Sequence, residues 1–254
     1  MLSIKKIKLI KSLESKKGRK EHGLFLVEGD KMVSEMISSR FPITYIAATE
    51  DWYTRTGQLS SVVEKDIVSQ KELDKISFLK TPQNVLCIAK VPDNSLNLPE
   101  LKNNLVLLLD TIQDPGNLGT IIRIADWFGI EHIICSTDCA DVFNPKVVQA
   151  TMGSICRVKV YYEYFKDILK QIKLLGLPIY GTTLEGENIY QASLTSYGFI
   201  MMGNESKGIN ASWINMLDKQ LFIPFYPTVK KRSESLNVAS AAAILCAEFR
   251  RRLL

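Results

Sequence analysis

Arg123 lies inside an amphipathic stretch, "NLGTIIRIADWFG", that follows the apolar run "NLVLLLD" and the turn Asp114-Pro115-Gly116. An arginine set among Ile121, Ile122, Ala125 and Phe128 either pairs with Asp126 three residues on or binds an anion at the mouth of a sheet. The spacing predicts Asn117 as helix cap and Gly119 as a point of close backbone approach. A second polar group follows the apolar run "GFIMMG", where Asn204, Glu205, Ser206 and Lys207 come directly after Gly203. Polar residues just beyond the carboxyl end of a parallel strand are where open α/β sheets take their ligands; the other possibility is a solvated surface turn. A third group, Ser235-Leu236-Asn237, opens a helix of small residues, "VASAAAI", after a strand that ends at Ile223-Pro224. Ser and Asn are ordinary caps there, but the Ala/Ser face would let another helix or subunit pack closely.

These groups need a scaffold, and the hydrophobic pattern supplies one. The first part alternates helices and strands: a basic helix over about 4–17, then "LFLVEG", "DKMVSEMISS", "ITYIAA", "EDWYTR", "SVVEKDIVS", "QKELDKISF" and "VLCIAKV". The pattern predicts a small α/β domain over 1–92, with a linker at 93–104 where "PDNSLNLPELKNN" carries two prolines and four asparagines. Residues 105–254 are again α/β, with strands "NLVLLLD", "HIICS", "RVKVYY", "LPIYGTT", "GFIMMGN" and "QLFIPF" and a long helix from about Ser235 to Arg252. Continuous rather than alternating apolar strands indicate a parallel sheet covered on both faces.

Composition narrows the partners. No apolar run approaches the roughly 18 residues of a membrane span, and "MLSIKKIKLIKSLESKKGRKE" lacks the apolar core of a secretory signal. The five cysteines are odd in number and form no CxxC pair, which predicts reduced thiols in a cytoplasmic protein with no metal site. Two histidines are too few for a His-based triad or metal centre. Residues 1–21 hold eight Lys/Arg against Glu14 and Glu21, a local +6 in a chain of net charge +5, so the remainder is close to neutral. Two further basic clusters stand at Lys230–Arg232 and Arg250–Arg252. Such patches suit a polyanion such as nucleic acid, or are simply solvated helix faces.

Taken in order, "DPGNLGTIIRIADWFG", "MMGNESKG" and "IPF…SESLNVASAAAI" resemble the three motifs of the SpoU/TrmH family of RNA ribose 2'-O-methyltransferases, within the SPOUT superfamily. "NPKVVQATMGSICRVKV" and "GTTLEG" are also similar to the family, and "KSLESKKGRKEHGLFLVEGDKMVSEMI" resembles the small substrate-binding domain that many members carry. One departure is a loop between Ile223 and Ser235, including 224–234, several residues longer than the compact pattern. The resemblance implies an α/β fold whose C-terminal parallel-sheet domain carries a deep trefoil knot, with a smaller N-terminal α/β domain. The knot then replaces a glycine-rich fingerprint as the pocket for S-adenosylmethionine.

By the same resemblance, Gly203, Asn204, Ile223 and Leu236 hold the cofactor, with Thr182 or Leu184 nearby. Asn117 orients the first-motif loop, and Arg123 meets the ribose or its phosphate. Glu205 fixes Arg123 or its loop, while Ser235 and Asn237 anchor the third motif and line the ribose site. The family further implies a homodimer, no metal, and RNA as substrate, ribosomal RNA ahead of tRNA. A non-catalytic RNA-binding protein of the same fold predicts eroded motifs, yet Asn117, Arg123, Glu205, Ser235 and Asn237 all stand. A Rossmann-type oxidoreductase is disfavoured by the missing G-x-G-x-x-G.

Overall fold

Two kinds of strand sort the chain into two sheets in a computed structural model that describes residues 2–56, 63–226 and 235–252. In chain order the first elements are α1 (Ile4–Ser12), α2 (Lys16–His22), β1 (Leu24–Glu28), α3 (Asp30–Ser38), β2 (Ile43–Ala48), α4 (Glu50–Thr56), β3 (Glu64–Ile67), α5 (Gln70–Ile76) and β4 (Val85–Lys90). They are followed by β5 (Leu105–Leu109), α6 (Pro115–Trp127), β6 (His132–Ser136), α7 (Pro145–Thr151), β7 (Lys159–Glu163) and α8 (Phe165–Leu174). Next come β8 (Ile179–Asn188), β9 (Gly198–Met202), α9 (Ala211–Ile214), β10 (Lys219–Phe222) and α10 (Val238–Arg251). No helix among the described residues is long and apolar enough to cross a membrane.

The elements cluster as Met1–Asp93 with Asp141–Cys156, and Asn94–Ala140 with Arg157–Leu254. The first unit carries a mixed sheet of order β1-β4-β2-β3, with β4 antiparallel to β1 and β2, and β2 parallel to β3. Its core includes Ile10, Leu13, Leu26, Tyr45, Leu73 and Ile88. The single basic helix expected over about 4–17 is instead two helices. Ser15 caps the second by accepting from Gly18 N at 3.0 Å, and a Cβ at Gly18 would lie 2.0 Å from Ser12 O, so only glycine permits the tight step between them.

The segment 141–156, read from sequence as part of 105–254, clusters with this first unit. There α7 packs on β1, and Phe143 meets Phe25 with ring centroids 4.7 Å apart. Arg19 is 4% exposed. It donates from Nε and Nη2 to Asp141 Oδ2 at 3.0 and 2.6 Å, and from Nη1 to the carbonyls of Leu13 and Glu14 at 2.8 and 2.7 Å. One of the eight basic residues of the N-terminus is therefore internal scaffold.

The second unit holds a six-stranded sheet of order β10-β8-β9-β5-β6-β7 in which every pairing is parallel. The central strands β5 and β9 are buried at all five positions, as continuous apolar runs require. Part of the stretch read as linker belongs to this core. Leu98–Leu101 forms a 3-10 turn, and its Leu98 and Leu101 pack with Val106, Leu108 and Phe199. The two leucines are spaced to face one side of the turn, a signal outweighed in the sequence by the neighbouring prolines and asparagines.

Candidate active site

Every strand of the parallel sheet runs the same way, so the loops after β10, β8, β9, β5 and β6 all leave one edge. The three polar groups of the sequence belong to these loops. Asp114, not Asn117, caps α6: its Oδ1 accepts from Asn117 N at 2.7 Å, with Pro115 in the first helical turn, where its missing N–H costs nothing. Asn117 is thereby displaced from the capping position and its side-chain amide is free to bridge.

What it bridges are the other two motifs. Asn117 Nδ2 donates to Glu205 Oε1 at 2.9 Å, and Asn237 Nδ2 donates to Asn117 Oδ1 at 3.0 Å. Asn237 in turn caps α10, its Oδ1 accepting from Ala239 N and Ser240 N at 2.9 and 3.2 Å. Helix α10 thus starts at Val238, a turn later than the expected Ser235, because the cap is Asn237. On the other side Asn204 Nδ2 donates to Glu205 Oε2 at 3.3 Å and to the Thr111 carbonyl at 2.9 Å. One chain of hydrogen bonds, Asn237–Asn117–Glu205–Asn204–Thr111, therefore ties the three motifs together. Glu205 engages Asn117 and Asn204 within it; no bond from Glu205 to Arg123 is present. Ser235 lies exposed two residues before the α10 cap.

Arg123 occupies the exposed side of α6 with Thr120 and Trp127. The pairing with Asp126 that spacing allows is not made. Arg157 reaches Asp126 instead, with Nη2 to Oδ2 at 2.8 Å. Among the described residues no hydrogen bond or ion pair engages Arg123, so its guanidinium is available to an external anion or hydroxyl. The basic cluster Arg250–Arg252 is scaffold by contrast. Arg250 donates to the carbonyls of Phe128 and Gly129 at 2.7 and 2.8 Å. Arg251 and Arg252 pair with the buried Glu248 at 2.8 Å, and the hydrogen bond from Arg251 is the first cause holding that carboxyl below its usual range. Arg252 also donates to the Ile189 and Ala192 carbonyls. The cluster Lys230–Arg232 and most of the lengthened 224–234 loop lie outside the described residues.

The residues proposed for the cofactor emerge from three neighbouring parallel strands. Gly203 follows β9, and a Cβ there would fall 2.1 Å from the Gly208 backbone, so glycine alone lets the loop 204–208 fold back on itself. Asn204 N and Gly208 N close that loop on each other's carbonyls at 3.0 and 2.9 Å. The Asn204 side chain is spent inside it, its Oδ1 accepting from Ser206 N and Lys207 N at 3.0 and 3.2 Å. Thr182 and Leu184 stand in a bulge of β8, between the pairs Gly181↔Gln220 and Glu187↔Leu221. Ile223 directly follows β10, and Leu236 precedes α10. Leu184 and Leu236 are 69% and 51% exposed, apolar surface of the kind a purine and a methionine side chain would cover. With backbone N–H and C=O groups at three strand ends, this donor set fits S-adenosylmethionine. Among the described residues no three His, Cys, Asp or Glu side chains are grouped to hold a metal.

Beneath the first motif the sheet edge carries groups that the sequence did not single out. Asp110, 4% exposed, accepts from Asn210 N at 2.9 Å. Thr111 adopts φ +62°, an uncommon conformation for a β-branched residue. Ser136 and Cys139 rise from the end of β6 below it. Burial pushes the Cys135 thiol well up.

A parallel sheet with three interlocked polar loops at its carboxyl edge is an α/β ligand-binding arrangement, and comparison with known proteins gives its class. The family model described as SpoU rRNA Methylase matches residues 104–247, and an MRM3-like substrate binding domain matches 5–87. The chain belongs to the SpoU rRNA methylase family. It is 33% identical over 242 residues, 94% of either chain, to the Bacillus subtilis 23S rRNA (guanosine(2553)-2'-O)-methyltransferase RlmP. Among solved structures it matches a putative RNA methyltransferase of the TrmH family from Porphyromonas gingivalis at TM-score 0.91 and 37% identity, covering 99% of both chains. An AdoMet-bound rRNA methyltransferase from Sinorhizobium meliloti matches at TM-score 0.87 and 28% identity, covering 100% of this chain and 98% of that one.

Proposed function

We propose that this protein transfers the methyl group of S-adenosylmethionine to a ribose 2'-hydroxyl of ribosomal RNA, with Arg123, Asn117, Glu205, Ser235 and Asn237 forming the reaction site. The observation that carries this is the hydrogen-bond chain from Asn237 to Thr111, which locks the three motif loops into one body while leaving Arg123 unengaged. Held by the loops around Gly203, Ile223 and Leu236, S-adenosylmethionine would supply a methyl group on a good leaving group, to which the ribose 2'-oxygen would bond as the S–CH3 bond breaks. The protein's share is proximity and help for a weak nucleophile. An arginine keeps its proton at working pH. Arg123 therefore acts as a cation that holds the ribose or its phosphate and favours the developing alkoxide, and phosphate or water takes the proton. Asn117, fixed between Glu205 and Asn237, sets the start of α6 and so the reach of Arg123.

Gly203, Asn204, Ile223 and Leu236, with Thr182 and Leu184, are assigned to the cofactor. Asn204 serves by shaping its loop, since its side-chain amide is already used. Labelled methyl incorporation into unmodified ribosomal RNA, followed by mapping of 2'-O-methyl sites in RNA from a deletion strain, tests the assignment. Incorporation into tRNA alone would overturn the substrate class. The chain works in the cytoplasm, where its thiols stay reduced.

The N-terminal unit supplies much of the RNA affinity. Lys5, Lys8, Lys11, Lys16, Lys17 and Lys20 are exposed, whereas Lys6 pairs with Glu64 at 2.7 Å and lies 4.1 Å from the Tyr45 ring centroid. In the same segment Ile10 and Leu13 are buried and Ile7 is partly buried, whereas Ile4 is 75% exposed. Changing Lys5, Lys8 and Lys16 to glutamine is expected to weaken RNA binding and to reduce the slope of log affinity against log salt by about two to three. An unaltered slope would show that these lysines only solvate the helices.

The active form is a homodimer joined through α6 and α10. The small residues Ala241, Ala243 and Ala247 with Ile244 stay partly exposed on α10. Trp127 is 85% exposed on α6, the helix against which α10 packs. Light scattering at micromolar concentration is expected to give twice the 28.7 kDa chain mass, and Trp127→Glu to shift it toward the monomer. A wild-type particle of 28.7 kDa would refute the dimer.

A further inference from the structure

The junction between β5 and the first motif is held from below by two side chains that have no part in the reaction site described above. Past Leu109 the chain leaves the sheet, and its backbone groups need new partners in a region almost closed to water. Asp110 N finds the Met202 carbonyl at 2.8 Å. Thr111 N donates to Ser136 Oγ at 2.9 Å. Ile112 N donates to Cys139 Sγ at 3.2 Å, and the same thiol donates to the Leu109 carbonyl at 3.1 Å. The Ile112 carbonyl accepts from Ala140 N at 2.8 Å. Ser136 and Cys139 also touch each other, Oγ to Sγ at 3.6 Å, and they are 7% and 6% exposed.

Thr111, at φ +62°, joins this support to the reaction site. Its hydroxyl donates to Asp110 Oδ1 at 3.1 Å, and its carbonyl receives Asn204 Nδ2, the last link of the chain through Glu205 and Asn117. A left-handed β-branched residue persists only where its surroundings over-determine it. Here both of its backbone polar groups and its hydroxyl are engaged. We propose that Cys139 and Ser136 are positioning residues for methyl transfer: by satisfying Leu109 O, Thr111 N and Ile112 N they hold the Thr111 turn, and through it the register of Asp114, Asn117 and Arg123 toward the RNA.

A thiol suits this place because one atom both donates to Leu109 O and accepts from Ile112 N. A hydroxyl can do the same at shorter reach, and a methyl group can do neither. A pure packing role would be kept by alanine or valine, and the positioning role only by serine. The inference rests on the methyl-transfer function, and its test has one arm that does not. Cys139→Ala and Ser136→Ala are compared with Cys139→Ser for amide exchange at Thr111 and Ile112, for kcat on unmodified ribosomal RNA, and for S-adenosylmethionine Kd.

Both alanine variants are expected to speed exchange at the amide whose acceptor they remove. Each should lower kcat by about tenfold or more, with cofactor Kd within about twofold, because small displacements from reacting geometry are costly in rate. Cys139→Ser is expected to restore slow exchange and most of the rate. The proposal is overturned if exchange at those amides is unchanged, if kcat stays at the wild-type level in both alanine variants, if the loss of kcat is matched by loss of cofactor affinity, or if serine does no better than alanine. Absence of transfer by the wild-type protein would instead refute the assigned reaction, and the exchange measurements would still decide whether Ser136 and Cys139 hold the turn.

Discussion

Replacing Arg123 with alanine is expected to slow methyl transfer by about 10²–10³-fold, roughly 3–4 kcal/mol of barrier, while S-adenosylmethionine affinity stays within about threefold. The division follows from where the residues stand. Arg123 belongs to the exposed side of α6, and the acid that its spacing offers is taken, since Arg157 holds Asp126 at 2.8 Å. Removing the guanidinium breaks no hydrogen bond among the described residues, and the folded protein should lose little stability. The residues assigned above to the cofactor stand in the bulge of β8 and after β9 and β10, and none of them is hydrogen-bonded to Arg123 among the described residues. Lysine in its place keeps the charge but not the planar fork, so Arg123→Lys should recover only part of the rate. Calorimetry for the cofactor and single-turnover transfer on ribosomal RNA separate the two effects. If cofactor affinity falls as far as the rate, Arg123 is not the RNA-facing cation assigned here.

That Arg123 has no partner among the described residues could not be read from the sequence. Spacing offered Asp126 at i+3, and the competitor, Arg157, comes from 31 residues further on. What was legible depended on how local the cause was. The central strands β5 and β9 were the plainest, because burial on both faces leaves its mark in consecutive apolar residues. The loops that carry the site were legible as polar groups at the ends of those runs. The capping of α6 was misassigned by three positions, because Asp114 and Asn117 are both good caps and only the structure shows which one the helix uses.

The links between loops were not legible from spacing; only the family resemblance implied that Glu205 fixes Arg123 or its loop. Asn117 to Glu205 spans 88 residues and Asn237 to Asn117 spans 120, and no local pattern encodes such pairings. The clustering of 141–156 with the first unit was not legible for the same reason. Its contacts with Arg19 and Phe25 are far away in sequence, while its neighbours along the chain belong to the other unit.

Those contacts make the N-terminal unit depend on residues outside 1–93, and the cost of losing them can be estimated. Arg19→Met is expected to destabilise the first unit by about 3 kcal/mol, the lower end for a broken buried ion pair, and to lower its unfolding midpoint by the order of 10 °C. Three partners lose their donor at once: Asp141 and the carbonyls of Leu13 and Glu14. Asp141 keeps 17% of its side-chain surface in water and still accepts from Phe143 N at 3.0 Å, which places the cost at the low end. If the loss comes from a stranded carboxylate rather than from packing, removing both charges together should be milder than the sum of the single changes. Arg19→Met with Asp141→Leu should then be more stable than Arg19→Met alone. Amide exchange in β1 and β4 reports this unit, and S-adenosylmethionine binding reports the other, so the single variant should loosen the first and leave the second within about twofold of wild type. A double variant no more stable than Arg19→Met would assign the loss to the two carbonyls and to the packing of the arginine stem, and would remove Asp141 from the account of how this unit is held together.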